Sequence, residues 1–252
     1  MTFHDLYKKL SQLYPESLRC EWDNDGIMCA DSLNDKVSNV LIALDVTDSA
    51  IDYAIENGFD VIISHHPLVF HSQNAINPEH FVQNKLIKFI KNGIKVMSFH
   101  TRLDAAEGGV NDTLCNLIGL ENVKNDPLDP IGRIGDLFEE MDITVFAEEV
   151  KLELEAPCVT YCGNNIVSKV YVVGGDGKDY ISRAIEMGAD TLLTGQASYN
   201  SILDACEMGL NVVEAGHFYT ENPVCVSIEE DVLLIDPEIK TEIFHSNKIK
   251  II

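Results

Sequence analysis

The 252-residue chain is 46% hydrophobic and 23% charged, the balance of an ordinary globular protein long enough for one large domain or two modest ones. Eighteen basic residues against 41 acidic give a formal charge of -23, which opposes nucleic acid and anionic membrane surfaces in the absence of a visible basic patch. No apolar run approaches the roughly 20 residues of a bilayer span, and seven scattered cysteines read as the reduced thiols of a cytoplasmic protein rather than a disulfide framework.

Residues 1–13 are amphipathic and lack the apolar core of a signal peptide. Trp22-Asp23-Asn24-Asp25-Gly26 reads as a tight turn, with Trp22 anchoring it to the core. Beyond it, short apolar runs predict strands over 40–45, 60–64, 94–99, 170–173, 191–194 and 211–214. Helix-period segments over 48–57, 79–92, 179–187 and 199–208 alternate with them. This alternation predicts an α/β fold, with helices flanking mainly parallel or mixed sheets. Cys158-x-x-x-Cys162 has no second pair to complete a zinc knuckle and reads as structural.

The two halves resemble each other. Residues 38–60 align without a gap on 168–190, with Ile51/Ile181, Ala54/Ala184, Ile55/Ile185, Glu56/Glu186, Gly58/Gly188 and Asp60/Asp190 identical. The repeated unit is strand, helix, glycine stop, aspartate, strand. It predicts two related lobes, 1–125 and 126–252, with equivalent strand ends facing each other.

Three clusters of histidine and carboxylate then stand out, each just past an apolar run: Ser64-His65-His66-Pro67, His100-Thr101-Arg102-Leu103-Asp104, and Gly216-His217-Phe218-Tyr219-Thr220-Glu221. Ligands of open α/β sheets gather at the carboxyl ends of strands, so these groups are expected to converge in the cleft between the lobes. Imidazole and carboxylate suit zinc, manganese or iron, and less well magnesium. Adjacent residues leaving a strand point to opposite sides, so His65 and His66 would each serve a different ion of a pair. Glu221 can bridge the ions, with His217 on one and Asp104 on the other, leaving positions open for reaction. His100 fits either as a further ligand or as an acid/base and support for the ligands. Each piece also has an ordinary explanation. Thr220 could cap a helix that Glu221 favours, and Asp104 could cap one beginning near Gly108. His4, His71, His80 and His245 lack such context and read as surface or packing residues.

These residues resemble the signature of the GTP cyclohydrolase I type 2 homologue family, also called Nif-three-like. The resemblance is carried by Trp22-Asp23-Asn24-x-Gly26, Ser64-His65-His66-Pro67, His100-Thr101-x-Leu103-Asp104-x-x-x-Gly108-Gly109-Val110-Asn111-Asp112, Thr194-Gly195 and Gly216-His217-x-x-Thr220-Glu221. It spans nearly the whole chain and matches the compact form without an inserted domain. It implies two α/β lobes, a dinuclear metal centre of two divalent ions per chain, and a ring-shaped homohexamer. Carried over, His65 and His217 hold one ion, His66 and Asp104 the other, and Glu221 bridges. The chain departs from the family pattern at Arg102, Gln196 and Asn200. Arg102 would place a cation beside the site, favouring a phosphate-bearing ligand.

The function implied is that of a metal-dependent hydrolase acting on a nucleotide-like substrate. The same ions would also serve a phosphoesterase, and a non-catalytic scaffold that binds metal and partner proteins is a third reading. No phosphate loop of the Gly-x-x-x-x-Gly-Lys type is present. Gly174-Gly175-Asp176-Gly177 follows a strand and reads as a turn or as a point of close approach.

Overall fold

Residues 1–251 are described by the structure, a computed structural model. In chain order the elements are α1 (Phe3–Leu13), β1 (Gly26–Cys29), β2 (Asn39–Ala43), α2 (Asp48–Asn57), β3 (Val61–Ser64), α3 (Phe81–Asn92), β4 (Lys95–Ser98), α4 (Thr101–Ala105), α5 (Val110–Leu117), β5 (Glu121–Asn125) and β6 (Arg133–Asp142). There follow α6 (Ile143–Glu153), β7 (Thr160–Cys162), β8 (Ile166–Asp176), α7 (Ile181–Glu186), β9 (Thr191–Gln196), α8 (Tyr199–Glu207), β10 (Asn211–Glu214), α9 (His217–Glu221), α10 (Val224–Ile235) and β11 (Lys240–Phe244). This is the α/β class expected, with two sheets and flanking helices.

The chain divides into two units. One comprises Met1–Leu103 with Cys225–Lys248, the other Asp104–Val224 with the last residues from Ile249. The grouping therefore differs from a single boundary after residue 125. Its cause is β11, which pairs in parallel with β2, Lys240 opposite Asn39 and Phe244 opposite Ala43, and so returns the C-terminal segment to the first sheet.

The first sheet runs β1-β4-β3-β2-β11. Strands β4, β3, β2 and β11 are parallel, and β1 is antiparallel to β4. Every residue of β3 and β4 is buried, so neither strand alternates between an inward apolar and an outward polar side. Leu41, Ile51, Ala54, Ile62, Phe89 and Val96 form the centre of this unit's core. Helix α1 buries Phe3, Leu6 and Leu10, one face at helical spacing, and Thr2 caps it by accepting from the Asp5 N–H.

The second sheet runs β5-β6-β8-β9-β10-β7. Its parallel centre is β8-β9-β10, and antiparallel strands extend it on either side. Phe146 and Val150 of α6 pack with Val170, Val172, Leu193 and Val213 of the sheet. Long antiparallel β6 has no counterpart among the predicted strands, because its second half is largely exposed and mixed in polarity.

The repeat is visible in the backbone of each unit. Asp60 Oδ2 accepts from the N–H groups of Ser38 and Asn39 at 2.7 and 2.8 Å. Asp190 Oδ2 accepts from those of Ser168 and Lys169 at 3.0 and 2.8 Å. The glycines that stop α2 and α7, Gly58 and Gly188, take φ of 70° and 76°, a left-handed turn that other residues adopt only under strain. The aspartate thus does the same work twice, tying the start of one strand to the start of the next.

Two expectations need correction. Trp22 is not packed into the core; it is 64% exposed, and the buried members of its turn are Asp23 and Asp25. The cysteines are not all free thiols either: Cys162 on β7 pairs with Cys206 on α8, their Cα atoms 6.2 Å apart. Cys20, Cys29, Cys115, Cys158 and Cys225 are in no disulfide.

Candidate metal centre

Strand β3 stops at Ser64, whose hydroxyl donates to the His66 carbonyl at 2.8 Å and bonds the Ser98 hydroxyl at 2.8 Å. That turn ends the side-to-side alternation of the strand, so the two following imidazoles need not point apart. Their ring centroids lie 4.9 Å from each other, and His100, just past β4, sits 5.2 Å from His65 and 5.7 Å from His66. Each of the three histidines offers a ring nitrogen within 4.8 Å of the others. The expectation that the doublet would diverge therefore fails, for want of a strand at that point.

Each imidazole is held by its Nδ1. His65 Nδ1 donates to the Phe99 carbonyl at 2.9 Å, His66 Nδ1 to Asp45 Oδ1 at 2.8 Å, and His100 Nδ1 to Asp23 Oδ1 at 2.8 Å. A carbonyl or carboxylate only accepts, so Nδ1 carries a proton and, in the neutral ring, Nε2 keeps the lone pair. This is the tautomer and the outer support that metal-binding histidines require. The donor set thus fits a divalent ion of the zinc, manganese or iron type.

The turn that carries Asp23 is pinned to the start of α4. Asp23 Oδ2 accepts from the N–H and hydroxyl of Thr101 at 3.0 and 2.7 Å, and Thr101 Oγ1 in turn accepts from the Cys20 N–H. Burial raises the Asp23 pKa, but the hydrogen bonds from His100 and Thr101 outweigh it and hold the carboxyl below its usual range. Asp25 Oδ2 accepts from the His100 N–H at 3.0 Å and from Arg102 Nε at 2.8 Å.

Arg102 is therefore no phosphate-binding cation. Its side chain is fully buried, donates to the Tyr14 carbonyl and the Tyr7 hydroxyl, and lies over the Phe99 ring at 4.7 Å. The sequence shows its charge but not the three aromatic residues that enclose it.

Asp104 is buried on α4, and the far end of that helix is fixed by Arg133, which donates to the carbonyls of Ala105 and Ala106 at 2.9 and 3.2 Å. Asn111 donates to the Asp104 carbonyl at 3.2 Å and accepts from the Gly174 N–H at 2.7 Å. Helix α5 is capped at Gly109 without a side-chain bond, so Asp104 is not its cap.

His217 and Glu221 stand one turn apart on α9, with Nε2 2.9 Å from Oε2. Gly216, at φ 88°, lets the chain turn into that helix. Thr220 is not a cap; its hydroxyl donates to the His217 carbonyl at 3.0 Å and accepts from the Gly175 N–H at 3.1 Å. The glycines of this unit are matched to the helix. A Cβ on Gly175 would overlap Glu221 Oε1, and one on Gly195 would lie 2.6 Å from Thr220 Oγ1 and 2.8 Å from the His217 Cα. Gly174-Gly175 and Thr194-Gly195 are thus points of close approach to the helix that carries a histidine and a carboxylate.

The structure therefore brings together His65, His66 and His100 in one unit, and His217 with Glu221 in the other. Gln196 and Asn200 are exposed. Sequence reasoning missed Asp23 and Asp45 as holders of histidines. The signal for Asp23 was its place in a tight turn; for Asp45, a polar residue closing an apolar strand run.

An α/β chain with histidine and carboxylate clusters at strand ends, three of the imidazoles held through Nδ1, carries groups that could hold a metal ion. The chain is a member of the Duf34/NIF3 (NGG1p interacting factor 3) family, whose profile matches residues 1–250. It is 34% identical over 240 residues to the "GTP cyclohydrolase 1 type 2 homolog" of Clostridium perfringens, covering 92% of this chain and 91% of that one. A second protein of that name, from Clostridium acetobutylicum, is 34% identical over 231 residues, with 88% and 86% covered. Among solved structures, the Bacillus cereus protein related to NIF3 superposes with a TM-score of 0.89 at 26% identity, over 100% of this chain and 99% of that one.

Proposed function

We propose that this chain is a dinuclear metal-dependent hydrolase acting on a nucleotide-like substrate. In this reading His65 and His217 would hold one divalent ion and His66 and Asp104 the other, with Glu221 serving both. The observation that carries it is the three-histidine cluster with every Nδ1 committed to an acceptor, which leaves Nε2 as the ligand atom. Once bound, such ions supply Lewis acidity toward water and a substrate oxygen. The chain's own part is to orient the donors: Phe99 and Asp45 fix His65 and His66, while Asp23 holds His100, which would serve as acid/base.

Burial of Arg102 weighs against recognition of a phosphate at this end of the site, and so against the phosphoesterase reading. We take the active assembly to be a homohexamer in the cytoplasm, following the family resemblance. No helix among the described residues is long and apolar enough to cross a membrane.

The test is elemental analysis of protein purified without chelator, beside Glu221→Ala. About two ions per chain are expected in the wild type, with marked loss in the variant. Near-zero metal in the wild type, even after reconstitution, would overturn the reading. With metal bound, release of formate from GTP supports the hydrolase. Phosphate without formate marks a phosphoesterase, and no turnover over a broad nucleotide panel marks a scaffold.

A further inference from the structure

The turn around Trp22 presents an unusual contrast. Asp23 and Asp25 are 8% and 7% exposed and bonded on several sides, yet the indole between Glu21 and Asp23 stands 64% exposed. A large apolar ring held outward on a rigid turn gains nothing for folding, since burying it would be worth roughly 2–3 kcal/mol. Nor is it alone. Phe70, on the irregular stretch between β3 and α3, is 40% exposed, and its loop is tied to the turn by Asn24, whose side-chain amide donates to the Val69 carbonyl.

The two rings meet at the metal-binding cluster. Trp22 and Phe70 have centroids 6.2 Å apart, and each lies about as far from the His100 imidazole, at 6.1 and 6.2 Å. All three pairs are steeply inclined, at 60°, 77° and 84°, so none of the rings is stacked on another. Behind His100 stand His65 and His66.

The charged groups nearby are already committed. Arg102 is spent on Asp25, and Arg19 Nη1 reaches the same carboxylate at 3.4 Å. Asp23 is bonded to His100 and Thr101. What the buried groups leave a ligand at this face is aromatic surface ending in an imidazole, since Arg102, Asp23 and Asp25 are already bonded.

We infer that Trp22 and Phe70 form a stacking subsite for a planar, uncharged nitrogen heterocycle, which they hold with its edge toward His100. The subsite deepens the function proposed above, and rests on it for the identity of the reacting centre. The substrate is then recognised first by its ring, with any phosphate bound elsewhere or left in solvent. Base–aromatic stacking is tolerant of which base is presented, so the subsite selects a class and not one compound.

Trp22 is the chain's single tryptophan, so its emission reports on this site alone. Metal-reconstituted full-length protein is titrated with guanosine, with adenosine, and with ribose 5-phosphate. Saturable quenching by both nucleosides and none by ribose 5-phosphate is expected. Phe70→Ala and Trp22→Ala should each weaken guanosine binding by about tenfold, read by equilibrium dialysis. Trp22→Phe, which keeps an aromatic face, should bind nearly as well as wild type, and all three variants should keep the wild-type ion content.

Absence of saturable quenching, or wild-type guanosine affinity in both alanine variants, overturns the subsite. A changed sedimentation mass in Trp22→Ala with guanosine binding intact overturns it too, by showing that the rings meet a second copy of the chain. The two proposals fail separately. Two ions bound without any nucleoside response sinks the subsite alone, whereas saturable, Phe70-dependent quenching in a protein that takes up no metal sinks the dinuclear centre and leaves the subsite.

Discussion

His66 and Asp45 form a carboxylate–histidine pair, with Nδ1 donating to Oδ1 across 2.8 Å, and the other carboxylate oxygen accepts from the Ser246 hydroxyl at 3.1 Å. Asp45 follows β2, His66 follows β3, and Ser246 follows β11, so the pair draws on three adjacent parallel strands. Asp45 is 42% exposed at its side chain and carries little of the core. Asp45→Ala should therefore fold normally by circular dichroism while binding metal about 10–100-fold more weakly, the usual cost of removing such a partner. Competition against a chromophoric chelator measures this, and an unchanged affinity would mean that His66 needs no orienting group.

Gly175 is the tightest steric constraint around Glu221. At φ 66° any side chain is strained, and a Cβ there would overlap Glu221 Oε1 and approach His217 Cε1 to 3.3 Å. Gly175→Ala is expected to displace the carboxylate and lower the ion content much as Glu221→Ala does. Gly188→Ala is the control, since φ is 76° there but nothing lies within 4 Å. It should lose stability by roughly 1 kcal/mol through backbone strain and keep its metal. Equal metal loss in both variants would point to general unfolding instead.

The buried ion pair of Arg102 and Asp25 predicts a large stability effect with a specific rescue. Both side chains have no exposure, and Nε lies 2.8 Å from Oδ2. Arg102→Met leaves the Asp25 carboxylate with only Arg19 at 3.4 Å as a cationic partner, and should cost about 3–5 kcal/mol in urea unfolding. Adding Asp25→Asn removes the stranded charge and should recover a good part of that loss. If the double variant is no more stable than the single one, packing against Phe99 and Tyr7 matters more than charge.

Asp126 supplies a pH dependence away from the metal site. Burial raises its pKa, but Arg183, the Leu128 N–H and the Tyr171 hydroxyl outweigh that and hold the carboxyl at about 2. A folded pKa below the ordinary 3.8 means that the stabilisation is complete above about pH 4 and is lost as pH falls toward 2, worth about 2 kcal/mol in all. Asp126→Asn should thus be less stable than wild type by about that amount at neutral pH, with the gap closing between about pH 4 and 2. Urea midpoints measured across that range test it; a gap independent of pH would assign the loss to packing around Tyr171.

Much of this molecule was written locally. Buried parallel strands are rich in apolar residues at their centres, so β2, β3, β4, β9 and β10 announced themselves as short runs within a residue or two of their ends. Helices α2, α3, α7 and α8 showed helical periodicity, and Gly58, Gly93, Gly188 and Gly209 marked the stops with positive φ. The candidate donors were legible for the same reason: a histidine or carboxylate immediately after an apolar run has left the sheet at its functional end.

What the sequence could not determine depended on contacts between distant segments. Pairing of β11 with β2 joins residues some 200 positions apart, and no local pattern names a strand's partner. Arg102 looked like a cation offered to a ligand until Asp25, Tyr7 and Phe99 closed around it, because a charge in a sequence carries no sign of its burial. Trp22 erred the other way: an indole is usually core, and only the tertiary structure turned it outward beside Phe70 and His100. By itself the sequence determined which side chains stand as candidates for metal chemistry. The tertiary structure decided which nitrogen of each imidazole keeps its lone pair, since that depends on the acceptor facing Nδ1, and for His66 and His100 that acceptor lies at least twenty residues away in the chain.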